Sequence, residues 1–202
     1  MALPTAAAIR ALSLPQIDGT AVDTLIESEI ATADAALADF CLFPRAAGSS
    51  PTMEATQYTF TLDGPWAGDT RILVTNHFPI TAIASIKQDT SGDWTYATTE
   101  SSSDYVLDGA TGYVYASPGT TLVWGSGLRH IQIVATIGYN VGAHKVLTQA
   151  IGLLVAHWMA LRRTPLTVAM TQGGQTMTLG ERGIPQHVRE LVWPYRLIGL
   201  ER

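Results

Sequence analysis

The sequence predicts an α+β subunit in which a helical core is interrupted by an antiparallel β insertion. Three observations lead there. Apolar residues recur at steps of three and four from Val22 to Cys41, the spacing of one helix face. Between residues 52 and 139, short runs that alternate apolar and polar residues are separated by Gly- and Pro-bearing stretches. That is the pattern of an antiparallel sheet or small sandwich. From 143 to 163 the chain is helical again, with apolar residues around nearly the whole circumference.

The N-terminal amphipathic helix is carried by Val22, Leu25, Ile26, Ile30, Ala33, Leu37, Phe40 and Cys41. Asp18 or Thr20 is suited to cap it, since each side chain can accept a bond from a free backbone N–H. Pro44 stops it. Strands are expected at 57–62, 71–75, 81–87, 93–97, 105–107, 113–115, 121–124 and 130–137, with 98–103 an exposed polar loop. The stretch DGATG at 108–112 reads as a hairpin turn.

The long central helix at 143–163 is expected to pack on residues 22–43 and against the β zone or a neighbouring subunit. Residues 164–183 form a loop or a hairpin with Gly173 and Gly174 at its tip. Pro185 opens a short C-terminal helix, 186–193, and Pro194 ends it. The expected division is one subunit, 1–202, with helical core 12–44 and 140–202 and β insertion 52–139.

Hydrophobic residues make up 47% of the chain and charged residues 14%. A charged share well under the usual quarter leaves neutral surface that partner chains can desolvate. The net charge of −5 argues against general nucleic-acid binding, which relies on basic residues to neutralise phosphates. Cys41 is the single cysteine and cannot form an intrachain disulfide; its apolar neighbours suggest a small buried hydrophobe. The Ala- and Leu-rich start lacks a positive n-region and does not read as a signal peptide. The longest apolar run, 151–161, is too short to span a bilayer, so no membrane association is expected and the protein should be soluble.

Charge is segregated along the chain. Residues 1–44 set Arg10 against Asp18, Asp23, Glu27, Glu29, Asp34 and Asp39. Residues 162–202 set Arg162, Arg163, Arg182, Arg189, Arg196 and Arg202 against Glu181, Glu190 and Glu201. Two readings stay open. The acidic start of one copy meets the basic end of the next, in a head-to-tail contact that closes into a ring, or the two segments pair within one subunit. The residues placed between copies are Asp23, Glu27, Asp34, Arg162, Arg163 and Arg189.

Little points to catalysis. His77, His130, His144, His157 and His187 contain no pair at the i, i+4 spacing of metal ligands on one helix face. Ser126 in WGSGL resembles, without matching, a nucleophile elbow, and lies between expected strands. No phosphate-binding glycine loop is present. DTSGD at 89–93 is a turn composition before it is a calcium loop. Trp66, Trp94, Trp124, Trp158 and Trp193 admit a sugar-binding idea, but core or interface packing is the simpler use. No catalytic residue, metal site or cofactor is expected.

Several phrases occur in a telling order: LPQIDGTAVD at 14–23 before an acidic helix, FPITAIASI at 78–86, DYVLDGATGYVY at 104–115, IVATIGYN at 133–140 leading into an apolar helix that ends Arg162–Arg163, then Ile184–Pro185 and LVWPYR at 191–196. Together, over about residues 12–200, the layout resembles the head–tail connector (adaptor, or head-completion) family of long-tailed phages and gene transfer agents. The shortest members of that family are nearly all helical, so the large β insertion is a departure.

The resemblance implies a non-enzymatic ring in the neck of the particle, usually twelve-fold, assembled in the host cytoplasm and docked below the portal protein. Such a ring extends the DNA conduit, passes DNA without sequence-specific binding, and presents a platform to the stopper or tail-completion protein. It also places Trp193, Pro194, Tyr195, Arg196, Leu197 and Ile198 against the portal, and the aromatic and arginine content of that tail is what an interface anchor uses. Folding back onto the central helix is the competing use. Truncation after Glu190 is expected to abolish portal binding and leave the fold intact. Other readings are a stopper or tail-completion protein, or a β module that binds glycans or hydrolyses a substrate. The reading as a whole takes the central helix and the arginine-bearing tail as built to meet other chains.

Overall fold

A computed structural model describes residues 3–12, 23–45, 48–65, 69–163, 169–172, 175–178 and 183–196, with backbone alone at 163, 169–172 and 175–178. Among the described residues the fold is mixed α+β, with four α-helices, two small antiparallel sheets and a two-stranded hairpin. It divides into a helical unit, drawn from residues up to Phe43 and from Asn140 to Arg196, and a β unit, Pro44–Tyr139.

The helical unit begins with α1, Ala6–Arg10, which the sequence reading did not anticipate. Its start is set by Thr5, whose hydroxyl accepts from the Ala8 N–H at 3.2 Å. Helix α2 spans Asp23–Phe40 and buries Ile26, Ile30, Ala33, Leu37 and Ala38. The proposed caps Asp18 and Thr20 lie outside the described residues.

Helix α2 is ended by a Schellman turn before Pro44 is reached. Phe43 N–H donates to Ala38 O at 2.9 Å and Leu42 N–H to Asp39 O at 3.1 Å, with Leu42 in the left-handed region (φ 63°). Leucine there costs on the order of 1 kcal/mol relative to glycine, offset by burying Cys41 and Phe43 on either side of it.

Helix α3, Lys145–Arg163, follows a single 3₁₀ turn at Val141–Ala143. Leu147, Ala150, Ile151, Leu154, Val155, Trp158 and Met159 are all buried. They pack against α1, α2 and α4 (Gln186–Val192), so the apolar circumference of α3 is taken up inside the subunit. Each buried Leu, Ile, Val or Met among them contributes roughly 1.5–3 kcal/mol. Two strands between α3 and α4, Ala169–Gln172 and Gln175–Thr178, pair as a hairpin; the expected tip, 173–174, lies outside the described residues.

In the β unit, β1 (Thr56–Leu62), β7 (Ile131–Ile137), β3 (Ile80–Gln88) and β4 (Thr98–Thr99) form one sheet in that order. Strands β2 (Ile72–Val74), β6 (Tyr113–Ala116) and β5 (Tyr105–Asp108) form the other. Along β7, Ile131, Ile133, Ala135 and Ile137 are buried while the residues between them are half-buried, the period of two expected of a strand. Residues of both sheets (Tyr58, Ile86, Ile133 and Ile137 with Leu73 and Val114) share one core with Trp124, the arrangement of a small sandwich.

Three expected segments differ from the structure. Residues 93–97 form no strand, because Trp94 and Tyr96 take left-handed backbone (φ 61° and 49°). Residues 121–124 alternate in burial, Leu122 and Trp124 inside and Val123 outside, yet join no ladder. Within the expected loop 98–103, Thr98 and Thr99 pair with Gln88 and Lys87.

The DGATG turn is a hairpin as expected. The Asp108 carboxylate accepts from Ala110 N–H and Thr111 Oγ1, and Gly112 N–H donates to Asp108 O at 2.9 Å.

Candidate protein interface

The candidate surface is built where α2 ends and α4 begins and ends. Pro185 supplies the residue before α4 with extended backbone (φ −58°, ψ 149°), and Gln186 Nε2 donates to Glu190 Oε1 at 3.0 Å along the first turn. Val188 and Val192 are buried, which fixes the face of α4 that looks inward and turns Gln186, Arg189 and Glu190 outward. The Cys41 thiol donates weakly to Val192 O at 3.6 Å and ties the end of α2 to the end of α4. Burial pushes that thiol up to about 12, against the opposing pull of the Arg196 charge.

Beyond Val192 the chain takes a 3₁₀ turn at Trp193–Tyr195, closed by Arg196 N–H on Trp193 O at 3.1 Å. That turn gathers an aromatic and arginine cluster. The rings of Phe40 and Trp193 lie 6.3 Å apart. The Arg189 and Arg196 guanidiniums lie 5.9 and 5.8 Å from the Phe40 ring, and Arg196 lies 5.1 Å from the Trp193 ring. Arg189 Nε also donates to Ile184 O at 2.8 Å. Tyr195 stands edge-on to His144 at 5.2 Å. Phe40, Gln186, Arg189, Glu190 and Trp193 line a shallow groove of about 350 Å³, and Trp193 is 51% exposed at its rim.

The portal-facing residues named from the sequence divide accordingly. Trp193 and Pro194 are exposed, Tyr195 and Arg196 are half-buried, and Leu197 and Ile198 lie outside the described residues. Of the charged residues placed between copies, Asp23 pairs with Arg10 and Arg162 pairs with Glu29 inside the subunit. Asp34 is buried, Glu27 is exposed, and the Arg163 side chain lies outside the described residues. Arg189 joins the aromatic cluster. Phe40 was read from the sequence as a core residue; its role under two arginines depends on contacts about 150 residues away in the chain, which no local pattern carries.

One expectation is corrected here. Truncation after Glu190 would remove the buried Val192 and the carbonyl that Cys41 meets, so a cut that spares the fold must come after Val192.

The described residues considered from the sequence for other chemistry are placed as follows. Asp89 is buried, and its carboxylate accepts from Ser91 N–H, Ser91 Oγ, Gly92 N–H and Trp94 N–H. Its lone pairs therefore organise the turn and do not hold a cation. Ser126 is exposed in a loop of the β unit. Among the described residues no group of three His, Cys, Asp or Glu side chains is placed to hold a metal, and no helix is long and apolar enough to cross a membrane. Trp124 and Trp158 are buried, whereas Trp94 and Trp193 are exposed in different units; Trp66 lies outside the described residues.

A two-unit α+β subunit, with an aromatic and arginine surface of the composition that protein interfaces use, is the class that fold and site define. The family model for the head completion protein (HCP) matches residues 13–198, so the chain belongs to the head completion protein family. No curated protein sequence matches it.

Solved structures share the fold. A chain in the neck of an empty GTA particle, computed with C6 symmetry, is 20% identical with a TM-score of 0.57. One in the virion of a native gene transfer agent (GTA) particle is 20% identical with a TM-score of 0.55. One in the neck of a native GTA particle, computed with C12 symmetry, is 18% identical with a TM-score of 0.53. Each comparison covers 99% of this chain and 94% of the other.

Proposed function

We propose that this chain is a structural neck subunit of a phage-like or gene-transfer-agent particle, a head-to-tail adaptor that docks on the portal protein as a ring of copies. Membership of the head completion family over residues 13–198 carries this reading. The shared fold with chains of GTA necks supports it. The ring extends the DNA conduit and offers a platform to a stopper or tail-completion protein. Passing DNA needs no base readout, which suits an acidic chain of net charge −5. The portal contact falls to Trp193, Pro194, Tyr195, Arg196, Leu197 and Ile198. Glu27 is the exposed carboxylate of the charged set placed between copies.

The test is co-sedimentation with heads purified from a strain lacking the chain. The full protein is expected to pellet with the heads, and residues 1–192 are expected to stay in solution with an unchanged circular dichroism spectrum. Retained binding by the shortened chain would remove the tail from the docking role.

A further inference from the structure

Arg189 and Arg196 reach the Phe40 ring from two separate elements, the middle of α4 and the turn after it. Neither guanidinium has a carboxylate partner among the described residues. Glu190, the one carboxylate among the described residues that line the groove, accepts from Gln186. Of the acids of α2, Asp23 and Glu29 are paired internally and Asp34 is buried, which leaves Glu27 and Asp39 exposed. Two cations thus stand over an aromatic floor beside a half-exposed indole, and a groove of about 350 Å³ runs along these side chains. Stacking on an aromatic face holds each guanidinium in place and leaves its N–H fork available to a carboxylate.

We propose that this groove docks a segment of a different polypeptide that carries two carboxylates flanking an apolar side chain. The apolar side chain lies in the groove against the Phe40 and Trp193 rings, and one carboxylate meets each arginine. The proposal rests on the adaptor reading above, in which the partner chain is the portal protein, and it names the chemistry by which that partner is recognised.

The experiment uses the full chain and heads lacking it. Wild-type retention falls as salt rises, because exposed ion pairs are screened. The R189Q/R196Q variant is expected to bind on the order of tenfold more weakly at low salt, with a flatter salt profile. An R189K/R196K variant treated with carbodiimide on the heads should become linked to an Asp or Glu of the portal-side chain, located by mass spectrometry. An unchanged salt profile in the glutamine variant overturns the proposal and leaves the adaptor reading standing. Linkage to Glu27 of a second copy overturns the choice of partner. Failure of the wild-type chain to bind heads removes the adaptor reading and this proposal with it.

Discussion

Replacing Gly112 with alanine should loosen the β unit far more than the same change at Gly119. Both glycines have left-handed backbone, φ 74° and 85°, so both alanines carry a conformational cost of about 1–2 kcal/mol. Their surroundings differ. At Gly119 a Cβ meets nothing within 4 Å. At Gly112 it would stand 2.2 Å from His77 O and 2.8 Å from Thr75 Oγ1, closer than real Cβ contacts allow. Relief requires the hairpin to back away from residues 75–77. That breaks the bonds that Thr75 N–H and Thr75 Oγ1 donate to Gly112 O, 3.1 and 2.8 Å long. Each is worth about 1 kcal/mol; if only part of the clash relaxes, the bonds are kept in part and overpacking costs about 1–3 kcal/mol in their place.

The Gly112→Ala cost should therefore exceed the Gly119→Ala cost by about 2–3 kcal/mol. Amide exchange over residues 105–116, read by mass spectrometry, should show this as a further acceleration of roughly thirty- to over a hundredfold. Equal exchange in the two variants would refute the seating of the hairpin turn on residues 75–77.

Two further outcomes follow from the helical unit. Cys41, buried and with its thiol pushed up to about 12, should not react with a disulfide reagent at pH 8 until urea unfolds the chain; rapid native reaction would contradict the packing of α2 on α4. His157 has its pKa lowered, first by burial and then by the charge of His187, so the folded form favours the neutral ring. The unfolded chain binds that proton more readily, so this contribution is fully present above the ordinary histidine pKa and is lost as pH falls through the lowered folded value. Acid should weaken the helical unit in a urea titration, and H157Q should flatten that dependence; an identical slope would remove His157 from the account.

How much of this was legible in the sequence depends on whether a signal is local. The helix α3 could be read from its apolar density. Strand β7 was visible because Ile131, Ile133 and Ile137 alternate with residues of the other face. The same alternation misled at 121–124. There Leu122 and Trp124 face the core, and alternation reports burial whether or not a neighbouring strand is in reach. At 93–97 the β-prone Trp94 and Tyr96 are overridden by a turn that the Asp89 carboxylate organises through four donors. Helix α1 was missed because five residues capped by Thr5 are too few to show a period.

The tail chemistry of Trp193 and Arg196 could be seen in composition. Its floor could not, since Phe40 reads as one more residue on the buried face of α2 until α4 is laid beside it. Charge segregation was equally visible, but a sequence does not say whether Arg162 finds Glu29 in its own chain, as it does here, or in the next copy.

The most direct trial of the account is to resolve the neck of an assembled particle that carries this chain. The account predicts a closed ring of copies below the portal, with Trp193 and Arg196 buried against the portal protein. A neck that lacks the chain, or one in which those two side chains face solvent while another surface meets the portal, would contradict it.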